Sequence, residues 1–216
     1  MQNFVQVTGM VIKTIPVGEY DRAVTILTKE RGKISAFARN SRKMNNRFMA
    51  ATNPFCFGSF KLYEGRTSYT INDVEITNYF EELRSDLEGA YYGMYFLEVA
   101  DYYTRENNDE MQMLKLLYQS MKALIHQGLK NDLVKMIFEC KAMAVNGEFP
   151  GVPKEDVSDA ATYTLSFIAE SPIEKLYTFS LTEEVLLECK KIARAYCQNI
   201  WNHTFKSEEI LEEFLC

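Results

Sequence analysis

Residues 34–48 read Ile-Ser-Ala-Phe-Ala-Arg-Asn-Ser-Arg-Lys-Met-Asn-Asn-Arg-Phe, a predicted β-strand that runs directly into a basic segment. The segment holds four cations in ten positions, separated by Asn and Ser and without any acidic residue. Cations of this kind neutralise phosphates, and the small polar side chains between them can donate hydrogen bonds. The segment therefore predicts contact with a phosphate backbone. The competing interpretation is an ordinary solvated loop.

The charge of the chain is divided unevenly. Residues 1–80 carry 11 Lys and Arg against 6 Asp and Glu, a net of +5, and the rest of the 216 residues carry −11, which gives the overall −6. An asymmetry of this size indicates two domains with different partners. We therefore divide the chain into residues 1–80, the candidate for nucleic acid, and residues 81–216.

Around the basic segment, β-branched and aromatic residues recur at strand spacing. Predicted strands cover residues 4–15, 23–28, 34–38, 56–62 and 67–76. A short helix is expected within residues 44–52, Gly9 predicts a bulge or a sharp bend, and a change of parity predicts an irregularity near residues 72–73. Five strands with an insertion after the third are typical of an OB-fold barrel, a common binder of single strands. An SH3-like barrel has the same strand count.

From Leu83 onward the hydrophobic period becomes helical. Predicted helices cover residues 86–105, 108–126, 132–146, 180–202 and 207–215. Asn131 is predicted to cap the third of these helices, and Ser180 with Glu183 forms a capping box for the fourth. Residues 147–179 are too long for a plain loop. Within them we expect a small hairpin that pairs residues 162–168 with residues 176–179.

The sequence carries no catalytic or metal-binding pattern. Its two histidines, His126 and His203, lack metal-ligand spacing, and the common phosphate-binding and nucleophile motifs are absent. Its five cysteines are scattered, which is typical of buried, reduced thiols. No apolar run approaches the roughly 18 residues of a spanning helix, and no signal-peptide pattern begins the chain. We therefore expect a cytoplasmic binding protein with no catalytic residue, metal or cofactor.

Several short motifs in the same order resemble the bacterial RecO family. Residues 18–22, Gly-Glu-Tyr-Asp-Arg, are followed by residues 27–33, Leu-Thr-Lys-Glu-Arg-Gly-Lys, and then by the basic segment. In that segment Asn40 stands where the family usually has Gly, and Asn also tolerates a left-handed backbone. The resemblance extends to about residue 150 through residues 80–87, 95–99 and 135–142, and returns weakly near residues 204–207.

This resemblance implies an α+β protein with an N-terminal five-stranded OB-fold barrel and an all-helical C-terminal domain. It implies a nucleoid-associated recombination mediator that binds single- and double-stranded DNA and anneals complementary strands. With RecR, and in some systems RecF, such proteins help RecA replace single-strand binding protein (SSB) on DNA. They also bind the acidic, hydrophobic C-terminal tail of SSB on the helical domain. An enzyme is not implied.

The chain departs from the family in one region. Many members carry a zinc knuckle of two C-x-x-C pairs, whereas residues 147–179 of this sequence contain no cysteine. We therefore expect no zinc, and a degenerate knuckle region in which the predicted hairpin keeps the knuckle's place without its metal.

The candidate site residues are mostly cations. The predicted phosphate contacts are Arg39, Arg42, Lys43 and Arg47, with Arg22, Lys33 and Arg66 as outlying members. Phe37 and Phe48 are candidates for base stacking, with core packing as the alternative. Lys135, which matches a family arginine, is the candidate cation for the carboxylate of the SSB tail. Two other functions stay open: a protein adaptor whose barrel binds peptides, and an RNA-binding protein that uses the same surface.

Overall fold

The computed structural model describes residues 3–66, 68–153 and 155–215. The strands are β1 (Phe4–Val17), β2 (Asp21–Thr28), β3 (Gly32–Ala38), β4 (Phe57–Glu64) and β5 (Tyr69–Asn78). They form a closed barrel in which the neighbour order is β1-β2-β3-β5-β4, and only β3 and β5 run parallel. This is the expected OB fold. A short helix, α1 (Phe48–Ala51), lies between β3 and β4, where the sequence predicted one.

The barrel has three register shifts, one between β1 and β2 and two between β4 and β5, and one of the three was predicted. On β5, Asp73 pairs with Lys61 and Ile71 pairs with Leu62, so that Asn72 is an extra residue. This bulge confirms the irregularity expected from the parity change. A bulge at Gly9 is wrong, because the register of β1 shifts between Val11 and Lys13 instead, whereas the bend expected at Gly9 stays a prediction.

Gly9 is required for a different reason. It pairs with Gly58 on the neighbouring strand β4, and a Cβ on Gly9 would lie 2.2 Å from the carbonyl oxygen of Leu27. A Cβ on Gly58 would lie equally close to the carbonyl oxygen of Glu75. Gly9 therefore allows β1 to approach β2 closely, and Gly58 allows β4 to approach β5 closely.

The predicted helices are present, but the two capping residues predicted for them are not the ones that the structure shows. They are α2 (Glu81–Ser85), α3 (Leu87–Tyr103), α4 (Met111–Leu124), α5 (Asn131–Val145), α6 (Asp159–Glu170), α7 (Glu183–Ile200) and α8 (Lys206–Leu215). Asn131 is the first residue of α5, not its cap, and its side chain donates to Glu88. The cap of α7 is Thr182, whose Oγ1 accepts from the Val185 N–H, so the cap predicted at Ser180 is wrong.

The predicted hairpin in residues 147–179 is also wrong. Residues 159–170 form α6, which Ser158 caps by accepting a hydrogen bond from the Ala161 N–H, and a 3₁₀ turn follows at Ile173–Lys175. Ala161, Leu165 and Ile168 recur at helical spacing and are buried. The region where many family members carry the zinc knuckle is therefore not a pair of strands in this protein. Residues 147–158 before α6 are irregular where the structure describes them.

The chain divides into two compact units. One contains Met1–Glu82 with Leu97–Leu114, and the other contains Leu83–Phe96 with Lys115–Cys216. Cys56, Cys140 and Cys189 are buried free thiols, as predicted, Cys197 is half-buried, and Cys216 lies outside the described residues. Burial raises the pKa of Cys189 to about 11. Among the described residues no helix is long and apolar enough to cross a membrane.

Candidate functional site

The basic segment of residues 39–47 forms an ordered loop that follows β3. Asn40 adopts a φ of 54°, the left-handed conformation that the sequence allowed, and its N–H donates to Asp21 Oδ1 at 2.7 Å. The buried Ser41 hydroxyl donates to the Ala38 carbonyl, and the Arg42 N–H donates to the Tyr20 carbonyl at 2.9 Å. These bonds fix the loop to the turn between β1 and β2, so its side chains are presented from a defined backbone.

Three cations of this loop point into solvent. Arg39, Arg42 and Lys43 are exposed, and none of them forms an ion pair with any residue that the structure describes. The Arg42 guanidinium donates to the Gly18 carbonyl at 3.2 Å, and the Lys43 ammonium lies 4.8 Å above the centre of the Tyr20 ring. Neither contact removes the positive charge. We call Arg39, Arg42 and Lys43 the open cations.

Arg47 differs from the open cations because it is paired. Its Nη1 donates to Asp73 Oδ1 at 2.8 Å, and its Nη2 donates to the Asn72 carbonyl at 2.6 Å. Arg47 therefore bonds the carbonyl of the extra residue in the β5 bulge. Its charge is partly compensated by Asp73, although both side chains remain more than half exposed.

The three outlying cations lie in three different settings. Arg22 donates to Met49 O, Thr52 Oγ1 and Asn53 Oδ1, so it fastens β2 to the region of α1. Burial, and then the charge of Arg42, lower the pKa of Arg22. Lys33 lies at the opposite end of β3, roughly 16 Å along the strand from Ala38, and pairs with Asp101 at 2.8 Å.

Arg66 lies in the β4–β5 turn and is exposed. It borders a groove of about 430 Å³ together with Ser35, Phe37, Tyr69 and Glu106. Phe37 is 39% exposed, whereas Phe48 packs in the barrel core. Core packing therefore accounts for Phe48, and Phe37 is the aromatic side chain that stays accessible. Alternation along β3 explains the difference, because Ala36 and Ala38 on either side of Phe37 point inward.

Tyr20, beneath Lys43, is a residue that the sequence analysis did not single out. It is 42% exposed and lies in the β1–β2 turn, 23 positions before Lys43. No local spacing pointed to this contact, since it depends on how the loop folds back against the turn. Tyr20 and Phe37 together add aromatic surface to the basic loop, which is the combination that single-strand binding uses.

Lys135 belongs to a separate cleft, on the helical unit. The cleft has a volume of about 660 Å³ and lies among α5, α7 and α8. The Lys135 ammonium contacts Glu139, lies 3.0 Å from Glu208 Oε1, and stands 4.7 Å above the Tyr95 ring. Burial lowers the pKa of Lys135, but the charges of Glu139 and Glu208 outweigh this effect and raise it. Lys135 is therefore a charged group that two carboxylates already hold.

Further cations border this cleft. Lys190 pairs with Asp132, Arg194 lies 3.2 Å from Glu212, and Lys191 is exposed. Burial opposes ionisation of Asp132, yet hydrogen bonds from Lys190 and Tyr92 lower its pKa. The Lys190–Asp132 pair therefore stabilises the helical unit at pH values above the ordinary pKa of an aspartate. This stabilisation is lost as the pH falls through the lowered pKa of Asp132. The floor of the cleft includes Trp201, which is nearly buried.

The described residues contain no group of three or more His, Cys, Asp or Glu side chains that could hold a metal ion. No described buried side-chain N or O atom lacks a hydrogen-bond partner. What the two sites offer is therefore charge, apolar surface and hydrogen bonding, which are means of binding.

Comparison with known proteins assigns both parts of the chain. Residues 1–80 match the family model described as Recombination protein O N terminal, and residues 84–152 match the one described as Recombination protein O C terminal. The chain is 26% identical to the DNA repair protein RecO of Acetivibrio thermocellus over an alignment that covers 90% of each chain. It is 26% identical to that of Clostridium novyi over 94% of this chain and 91% of the relative. It is 32% identical to the DNA repair protein RecO of Bacillus subtilis over 66% of this chain and 55% of the relative.

Proposed function

Since the chain belongs to the RecO family of DNA repair proteins, we propose that it binds single-stranded DNA through the basic loop and anneals complementary strands. The observation that carries this proposal is the set of open cations, Arg39, Arg42 and Lys43, which lie on a hydrogen-bonded loop without a carboxylate partner among the described residues. Annealing requires that strands be brought together without their bases being buried. A surface that neutralises phosphates from an exposed loop meets this requirement.

Phe37, Tyr20 and Arg66 are proposed to extend this surface. Phe37 stands two residues before Arg39 on the outer face of the barrel and can stack on a base. Arg66, which borders the same groove as Phe37, adds a further cation. In this proposal Arg22 and Lys33 stabilise the barrel and do not contact DNA directly, because hydrogen bonds and an ion pair within the protein already engage them.

The protein acts, in this proposal, as a mediator and not as an enzyme. It works in the cytoplasm at the nucleoid, where it helps RecA load onto SSB-coated DNA together with RecR, and in some systems RecF. The acidic, apolar C-terminal tail of SSB would bind in the 660 Å³ cleft of the helical unit, where Lys191 and Arg194 are the accessible cations and Lys135 is the inner one. Double-stranded DNA would bind through its phosphates at the same loop.

Binding of a labelled single-stranded deoxyribo-oligonucleotide across a salt series tests this function. Three open cations, Arg47 and Arg66 amount to about five phosphate contacts, so the log–log slope of affinity against salt is expected to be about −3.5. The same protein should speed annealing of two complementary strands. Affinity that does not depend on salt would favour a protein adaptor, and tighter binding of the matching ribo-oligonucleotide would favour an RNA-binding protein.

A second prediction concerns the charge of Arg47. Replacing Asp73 with Asn keeps an oxygen for the Arg47 and Val74 hydrogen bonds but removes the carboxylate charge. We expect the affinity for single-stranded DNA to rise about two- to fivefold at low salt, because Arg47 then presents an uncompensated cation. Equilibrium binding by fluorescence anisotropy measures the change.

Glu75→Gln is the matched control for this prediction. It removes one negative charge from the same strand, at an exposed position whose carboxylate forms no ion pair with Arg47. Its effect should be clearly smaller. An equal gain from both variants would show that only the net charge of the barrel matters, and the Arg47–Asp73 pair would then have no specific role.

A further inference from the structure

We propose that α8 is a displaceable wall of the helical-unit cleft, and that an acidic, apolar peptide of a partner protein binds in its place. The proposal rests on the cleft assigned under the proposed function. It adds that one wall of the cleft is formed, within the chain itself, by a segment of the same chemistry as the ligand. Access of the partner is then governed by release of α8.

The composition of α8 is that of an acidic, apolar peptide. Its ten residues read Lys-Ser-Glu-Glu-Ile-Leu-Glu-Glu-Phe-Leu, with four carboxylates and four large apolar side chains. Such a helix complements a cleft bordered by four cations, Lys135, Lys190, Lys191 and Arg194. Two of its carboxylates contact cleft cations: Glu208 contacts Lys135 and Glu212 contacts Arg194.

α8 buries little apolar surface for a structural helix. Leu211 is its one buried residue among those described, whereas Ile210, Phe214 and Leu215 are 49%, 42% and 50% exposed. Phe214 rests on the Tyr91 ring with a centroid distance of 4.8 Å. The Arg194–Glu212 pair is largely solvated, with both side chains more than half exposed, so it holds α8 weakly. Local opening of such a segment requires far less free energy than global unfolding of the unit does.

The contact between Glu208 and Lys135 makes Lys135 unavailable to a ligand while α8 is in place. Lys135 is the inner cation of the cleft, and its ammonium is shared between Glu139 of its own helix and Glu208 of α8. When α8 leaves, Glu208 leaves with it, and Lys135 can accept a carboxylate of the incoming peptide. Glu208 therefore occupies the position of a ligand carboxylate, and Lys135 becomes a binding residue only in the open state.

The test uses the full chain and weakens α8 without shortening it. In Glu208→Gln with Glu212→Gln, the apolar side chains stay and the two carboxylates that contact the cleft lose their charge. The probes are two fluorescent peptides, one with the sequence of residues 206–215 and one with that of an SSB C-terminal tail. We expect both to bind the variant about tenfold more tightly than they bind the wild type, because the open state is more populated. The amides of α8 should also exchange faster with solvent deuterium when peptide is added.

Glu184→Gln with Glu213→Gln is the control, since it removes the same charge at exposed positions that do not border the cleft. If the peptides bind wild type, control and variant with equal affinity, α8 does not compete with them and the present proposal is wrong. The cleft would still be the peptide site. Protection of α8 that persists in the peptide complex would overturn the present proposal as well. If neither peptide binds any of the three proteins, the cleft itself is wrongly assigned, and this proposal fails with it.

Discussion

Replacing Arg39, Arg42 and Lys43 together by alanine should weaken binding of single-stranded DNA on the order of 100-fold at low salt. These three side chains are the cations of the basic loop that no described carboxylate compensates. Each contributes a phosphate contact, and the salt slope for single strands changes by about 0.7 per contact. The slope should therefore become less steep by about 2, which distinguishes lost phosphate contacts from a general loss of fold.

The matched control for this triple variant is Lys29→Ala with Lys122→Ala and Lys175→Ala. All three lysines are exposed, and the change in net charge is the same. If the control weakens binding as much as the loop variant does, the net charge of the protein governs binding and the loop is an ordinary solvated surface. Far-ultraviolet circular dichroism of both variants establishes that they remain folded, which is expected because none of the six side chains is buried.

Arg47→Ala should have a smaller effect than any one of the open cations. The sequence placed Arg47 in the same cluster because it lies only four positions after Lys43. Its ion pair is with Asp73, 26 positions away, and that contact exists because β5 has an extra residue at Asn72. The parity change predicted the bulge. Which cation would bond to it could not be predicted, since that depends on the path of the loop.

The barrel itself was predictable because its signal is local and repeated. Alternation along β3, with Ala36 and Ala38 inward and Phe37 outward, fixes which face is buried, and the same alternation holds on β4. Helix existence was predictable for the same reason. The sequence of α6 also fits a strand, because residues 162–168 are rich in β-branched and aromatic side chains. Only the burial of Ala161, Leu165 and Ile168 at helical spacing decides for a helix.

The roles of single charged residues were much less predictable, because they depend on long-range partners. Lys33 and Arg22 carry the same charge as the open cations, yet Lys33 pairs with Asp101 and Arg22 bonds three acceptors near α1. Nothing in the adjacent sequence separates these positions. A basic residue is available to DNA only if the folded chain leaves it without a partner, and sequence spacing does not report that.

The second large effect is expected from Lys135→Met, which should lower the free energy of unfolding of the helical unit by about 3 kcal/mol. Lys135 lies between Glu139 and Glu208, and Glu139 is only 5% exposed. Removing the ammonium leaves the Glu139 carboxylate buried, with the Tyr95 hydroxyl, which donates to it at 2.8 Å, as its remaining polar contact. A buried charge without a counter-charge is far costlier than the pair that it replaces. Urea unfolding followed by fluorescence measures this, since the single tryptophan, Trp201, is nearly buried in the helical unit.

Two further variants decide whether this loss comes from the uncompensated carboxylate. Lys135→Met combined with Glu139→Gln removes both charges and keeps an oxygen for the Tyr95 hydroxyl, so it should recover most of the lost stability. Lys191→Met removes an exposed cation of the same cleft and should change the free energy of unfolding by less than about 0.5 kcal/mol. If Lys135→Met costs no more than Lys191→Met does, Lys135 is not needed to compensate Glu139. Its ammonium would then be available to a ligand even while α8 is in place, and the requirement that α8 open first would lose its basis.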